Sequence, residues 1–442
     1  MLCLFREGFP AWAHRESIRL LRPTKLRTDH ARHVAPGLRA ANGIVRSAIE
    51  SSILEADLRR NLEAKLDMLE AQGVTIVDRR QTYLDEAADV SRICRGAILY
   101  PGTRLIGART FVGPGAKVGT EGSAVLENAI IGENAEVASG YLKEAVLLRN
   151  ARVGSSAHIR AGTLMEEEAS TAHAVGLKHT ILMSFVTMGS LINFCDGLIS
   201  GGKSRREHTE VGSGFIHFNF TPRGQSGDKA TPSLIGDVVH GVFLRQRRIF
   251  LGGLSGIVGP QKVGFGSCTV AGQVLRREVP SNRLVGDVPR KVDKDFYAPL
   301  DAPSRRILKL NLEYIGHLAA LQVWYRDVRL ARIPADPKYG HIRIVTQAAS
   351  ELLSVCIDER AERLRQFLEE RGIPNPTLLF VNPPCPLKIE HSSPYLDHIE
   401  WVKGLSDVDV QIGTSWLQSI VESSHAREKA VSVAGNPRRW GS

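Results

Sequence analysis

The stretch Leu105-Ile106-Gly107-Ala108-Arg109-Thr110-Phe111-Val112-Gly113-Pro114-Gly115-Ala116-Lys117-Val118-Gly119 repeats an aliphatic-glycine pair every six residues. Six is neither the period of an α-helix nor the two-residue period of a strand. It is the period of a β-helix, in which three short strands and three turns close one triangular coil. The aliphatic residue points inward and the glycine takes the turn. Such pairs return at Ile131-Gly132, Val153-Gly154, Val211-Gly212, Ile235-Gly236, Val258-Gly259 and Val263-Gly264, with offsets that require inserted loops. A chance run of glycines in a β-sandwich would not keep this six-residue step.

Working outward from these coils, the fold class is mainly β: a left-handed parallel β-helix of hexapeptide repeats over residues 73–295. An N-terminal helical extension over 1–72 and a C-terminal helical region with an irregular tail over 296–442 flank it. On the N-terminal side, Leu54, Leu58, Leu62, Leu66 and Leu69 recur at helical steps up to Gly73. On the C-terminal side, Ile307, Leu310, Tyr314, Leu318, Leu321, Tyr325 and Val328 form one apolar stripe behind Ser304. A second helix is expected from Ile344 to Arg371 and a last one over Ser415–Val421, with a disordered tail after His425. The segment His173–Ser200 is almost uncharged, and its place inside the array makes it further coils rather than a buried helix. Gly202–His208 and Val239–Arg248 read as insertions.

Composition narrows the function. A chain of 442 residues exceeds what one hydrophobic core usually holds. The net charge of +10 points to an anionic partner, but no aromatic-basic nucleic-acid module accompanies it, so a phosphorylated small molecule fits better than DNA. The six cysteines show no CxxC spacing, which indicates neither a disulfide framework nor a zinc site. Reduced thiols and the lack of a signal or membrane-spanning pattern imply a cytoplasmic protein.

Gly73-Val-Thr-Ile-Val-Asp78 with Thr82-Tyr83, Ile216-His-Phe-Asn-Phe220, and Ile249-Phe-Leu-Gly-Gly253 through Arg277-Glu-Val279 carry a family resemblance. The chain from Gly73 to Val292 resembles the C-terminal acetyltransferase domain of the bifunctional N-acetylglucosamine-1-phosphate uridyltransferase/glucosamine-1-phosphate acetyltransferase. Nothing before Gly73 offers that family's glycine-rich nucleotide loop, so uridylyl transfer is not expected. The resemblance implies acetyl-CoA as acyl donor, a phosphorylated amino sugar or nucleotide sugar as acceptor, and a homotrimer with sites between subunits. Symmetric assembly is also expected to cover the apolar positions from Ile181 to Phe194.

Arg160 and Lys178 are eighteen residues apart, which is three hexapeptides and one coil. They should stack at roughly the 4.8 Å spacing of neighbouring strands, where two cations repel unless an anion such as phosphate bridges them. In the resembled family an arginine and a lysine at this spacing hold the sugar phosphate. That family's general base falls at Ser190 and its neighbouring tyrosine at Asn193. Serine cannot act as a base near neutral pH, so another group must substitute or none does. His217, beside Asn219, and His208, eighteen residues after Ser190, are the candidate bases; His173 lies five residues before Lys178. Asn193, Asn219 and Phe220, which replaces a family tyrosine, are candidate substrate contacts. The resemblance alone places coenzyme A at Gly253 and Ala271. Two functions remain open at this point: an acyltransferase, or a sugar-nucleotide-binding or assembly protein that has lost the base.

Overall fold

The computed structural model describes residues 57–221, 227–287, 291–293, 295, 304–376, 378, 381–389 and 397–434. The sequence readings at Met1–Trp12, residues 44–56 and Pro289 lie outside them.

Parallel strand pairing builds the solenoid, and one sheet of eleven strands takes one strand from each coil. Leu99, Val118 and Val137 stand opposite one another in successive coils. Val153, Met188, Val211 and Leu251 continue the same inward column. All are buried, as is Thr171, which stands between Val153 and Met188, so the coils stack one continuous and largely aliphatic core. Coils approach so closely at the turns that a Cβ on Gly212 would lie 2.5 Å from the backbone nitrogen of Gly253. The sequence step per coil is uneven. Met188 pairs with Val211 across the Gly202–His208 insertion, and Val211 pairs with Leu251 across forty residues that carry two further excursions.

A second column points outward. Phe111, Ile130, Val146, Leu164, Ile181, Leu198 and Leu234 follow one another in register, one per coil. They are buried beneath the C-terminal helices α1 (Ser304–Trp324), α2 (Gly340–Glu369), α3 (His398–Gly404) and α4 (Asp407–Ala434). The stripe read from α1 is wholly buried and continues through a π-helical segment, Tyr325–Leu330. Each buried side chain of this size contributes roughly 1.5–3 kcal/mol, which makes the helical layer an integral part of the domain. The expectation that a symmetric assembly covers Ile181 and its neighbours is therefore corrected, because Ile181, Met183 and Phe185 pack against helices of the same chain. The tail reading is corrected as well, since α4 continues past His425 to Ala434. No helix among the described residues is long and apolar enough to cross a membrane.

Two polar clusters are buried with these surfaces. Arg329 forms an ion pair with Glu167 and lies 3.5 Å from Glu166, whose carboxylate also accepts from the Tyr325 hydroxyl at 2.9 Å. Burial pushes the Glu166 carboxyl up and the Arg329 guanidinium opposes it. Inside the coils, His217 stacks on Phe194 with ring centroids 4.8 Å apart. Its Nδ1–H donates to the Cys195 carbonyl, and its Nε2 accepts from the Ser233 hydroxyl at 2.8 Å.

Arg329→Ala leaves two buried carboxylates uncompensated and should cost about 3–5 kcal/mol, measured by urea denaturation; an unchanged midpoint would contradict the pairing. Burial also pushes the His217 imidazole down to about 4. The unfolded chain takes up that proton near the ordinary 6.5 while the folded chain does not, so stability falls as the pH drops from about 6.5 towards 4. The difference amounts to about 3 kcal/mol. His217→Gln should reduce the acid-side loss between pH 7 and pH 4.5, and an equal loss in both proteins would count against this reading.

Candidate functional site

Strand Gly176–Leu182 runs beside Ala157–Ile159 with His158 opposite Gly176 and Ile159 opposite Leu177. The Arg160 amide donates to the Leu177 carbonyl at 2.9 Å, which extends the ladder and sets Arg160 beside Lys178 in the next coil. Cys195 stands opposite Lys178 on the other side. Arg160 Nη2 donates to the Cys195 sulfur at 3.3 Å, and that sulfur lies 3.7 Å from Asn193 Oδ1. Strand alternation turns Phe194 into the core and leaves Asn193 and Cys195 on the outer face. Arg160, Lys178, Cys195 and Asn193 thus form one patch. Among the described residues, neither Arg160 nor Lys178 is paired with a carboxylate.

Helix α2 borders this patch. Arg360 lies 3.0 Å from Asp196, the residue after Cys195, and Glu359 lies 3.0 Å from Arg363. The Asn219 amide donates to Asp196 at 2.7 Å and its backbone carbonyl accepts from Thr231 at 2.7 Å. Half of the Asn219 side chain is therefore committed to holding Asp196. Phe220, 49% exposed, directly precedes the Thr221–Asp228 bridge. The sequence offered no route to Arg360, because nothing in a coil period relates residue 360 to residue 196.

One corner of the solenoid gathers His173, Ser190, Gly253 and Ala271. Ala174 donates its amide to Ser155, Leu191 to His173, Gly214 to Ser190, Leu254 to Ser213, and Gly272 to Gly253, at 2.7 to 3.1 Å. These bonds stack Ser155, His173, Ser190, Ser213 and Gly253, one per coil, with Ala271 immediately before Gly272. The residue one coil beyond Ser190 is Ser213, twenty-three positions on, and not His208. His208 stands in the insertion, where Nδ1 binds the Arg205 carbonyl at 2.9 Å and Nε2 lies 3.2 Å from Glu210. His217 is 3% exposed, with both ring nitrogens engaged. Neither candidate presents a free ring nitrogen to the outer face in this structure.

His173 is different. It is exposed, and its Nδ1 lies 3.0 Å from the Ser190 hydroxyl. The signal that finds it is a spacing of seventeen, the same step that sets Gly176 opposite Asn193. Gly253 has a structural reason to be small, since a Cβ there would lie 2.9 Å from the Ser213 carbonyl. Arg245, in the second insertion, pairs with Asp407 of α4. A cavity of about 330 Å³ between the coils and α2, lined by Glu133, Arg149, Arg329, His341 and His398, contains none of the residues chosen from sequence.

No family model matches the chain. A solved chain from Bacillus cereus is 12% identical, covers 64% of this chain and 98% of its own, and has a TM-score of 0.15. The bifunctional protein GlmU of Clavibacter sepedonicus is 31% identical over 212 residues, 48% of this chain and 38% of that protein. GlmU of Thermobifida fusca is 34% identical over 230 residues, 52% of this chain and 42% of its own. GlmU of Mycobacterium sp. (strain KMS) is 28% identical over 254 residues, 58% and 45% of the two chains. The chain spans less than half the length of these curated relatives, and over that span it is similar to GlmU.

Proposed function

We propose that this protein is an acyltransferase that moves an acetyl or related acyl group from coenzyme A to an amino-sugar phosphate or nucleotide sugar. The observation that carries the reading is the Arg160–Lys178 pair: two cations one coil apart, half-buried, without a carboxylate partner among the described residues. A phosphate bridging them removes their repulsion and accepts charge-assisted hydrogen bonds from both. Asn193 faces the same patch and is the next polar contact for the sugar. The similarity to GlmU supports the acyl donor, and the resemblance puts it at Gly253 and Ala271.

In the reaction, the acceptor's neutral amine attacks the thioester carbonyl. A nitrogen–carbon bond forms, the carbon–sulfur bond breaks, and one proton leaves the nitrogen while coenzyme A departs as the thiol. Serine at the family's base position favours the second reading, a binding or assembly protein that retains the phosphate pair without turnover. Assembly as a homotrimer belongs to the first reading. Its support is the apolar surface still exposed on the later coils, with Leu191 at 64% and Leu254 at 81% near Ile216, Phe218 and Val274.

Arg160→Ala and Lys178→Ala should each weaken binding of glucosamine-1-phosphate about ten- to a hundredfold while leaving glucosamine nearly unaffected, by calorimetric titration. Equal losses for both ligands would show that the pair has another role. Light scattering at micromolar concentration should give three times the chain mass, and a monomeric mass would remove the trimer from the proposal.

A further inference from the structure

We infer that His173 accepts the proton in the transfer, with Ser190 as the residue that positions its ring. The inference rests on the acyl-transfer reading above. Amine attack on a thioester needs a proton acceptor at the reacting nitrogen, and neither His217 nor His208 presents a free ring nitrogen to the outer face. His173 occupies the corner from which strand Gly176–Leu182 leaves, with Lys178 five residues further on, a chain distance of at most about 18 Å. It stacks in the same column as Ser190, Ser213 and Gly253.

The hydrogen bond at 3.0 Å from His173 Nδ1 to Ser190 Oγ defines the chemistry. When Nδ1–H donates to the serine oxygen, Nε2 keeps its lone pair and serves as the base. Ser190 is itself pinned, because its amide donates to Ser213 Oγ at 3.0 Å and its carbonyl accepts from Gly214 at 2.8 Å. The corner neighbours from the coils on either side, Ser155, Ser156, Ser190 and Leu191, carry no charge. The proton passes from the attacking nitrogen to Nε2 as the nitrogen–carbon bond forms, then to the departing sulfur.

The test uses the full chain with acetyl-CoA and glucosamine-1-phosphate, following release of the free thiol across pH. His173→Gln should lower kcat about a hundredfold or more, leave both KM values within about threefold, and abolish the fall in rate on the acidic side. Ser190→Ala should lower kcat less, and Ser190→Thr, which keeps the hydroxyl, should restore it. The double variant His173→Gln with Ser190→His should regain at least tenfold over His173→Gln, because an imidazole returns to the same corner. A wild type that turns over with His173→Gln unchanged in rate and pH profile would overturn the base assignment and leave the acyl-transfer reading standing. A wild type that releases no thiol would overturn both.

Discussion

Parallel backbone hydrogen bonds between coils hold every residue one strand spacing, roughly 4.8 Å, from its counterpart in the coil before and after. Everything else in the molecule answers to that constraint. Most inward positions are apolar, because each coil seals the next. Corners must be glycine or another small residue where two backbones meet, as between Gly212 and Gly253. Outward positions become columns, so any chemistry repeated at the coil step is concentrated along a line. The apolar column from Phe111 to Leu234 recruits the helices, the Arg160–Lys178–Cys195 column forms the cationic patch, and the His173–Ser190–Ser213 column forms the polar corner.

The C-terminal helices do more than cover an apolar stripe. Arg360 reaches from α2 to Asp196, which also holds Asn219, so the helical layer fixes the positive-φ bend at Asp196 within strand Asn193–Ile199. Burying ions at this junction and at Arg329 is favourable only when each has partners, and both clusters meet that condition with ion pairs and hydrogen bonds. The patch is thereby bordered on one side by rigid packing and left open on its outer face, an arrangement suited to a small charged ligand.

What was legible in the sequence follows from whether a local period governed it. The six-residue step from Ile106 to Val118 revealed the solenoid, and the stripe from Ile307 to Val328 revealed α1, because both encode burial in the residues themselves. Arg160 and Lys178 could be paired by counting, since no insertion separates them. The same count failed from Ser190 to His208, because the Gly202–His208 loop lengthens that coil and Ser213 takes the position. Counting eighteen back from Ser190 lands on Ala172, one residue past His173, because this coil is seventeen residues long. The partner of the outer column at Ile181 and the contact of Arg360 are tertiary facts, and no spacing within the coils reports them.

The most direct measurement is the appearance of acylated product when the purified chain is mixed with acetyl-CoA and a panel of amino-sugar phosphates and nucleotide amino sugars, followed by mass spectrometry together with free thiol. Acyl transfer at this site requires stoichiometric formation of an N-acetylated phosphorylated sugar and coenzyme A. Binding of the phosphorylated sugars with neither product nor acetyl-CoA binding would contradict it and leave a sugar-phosphate-binding protein in its place.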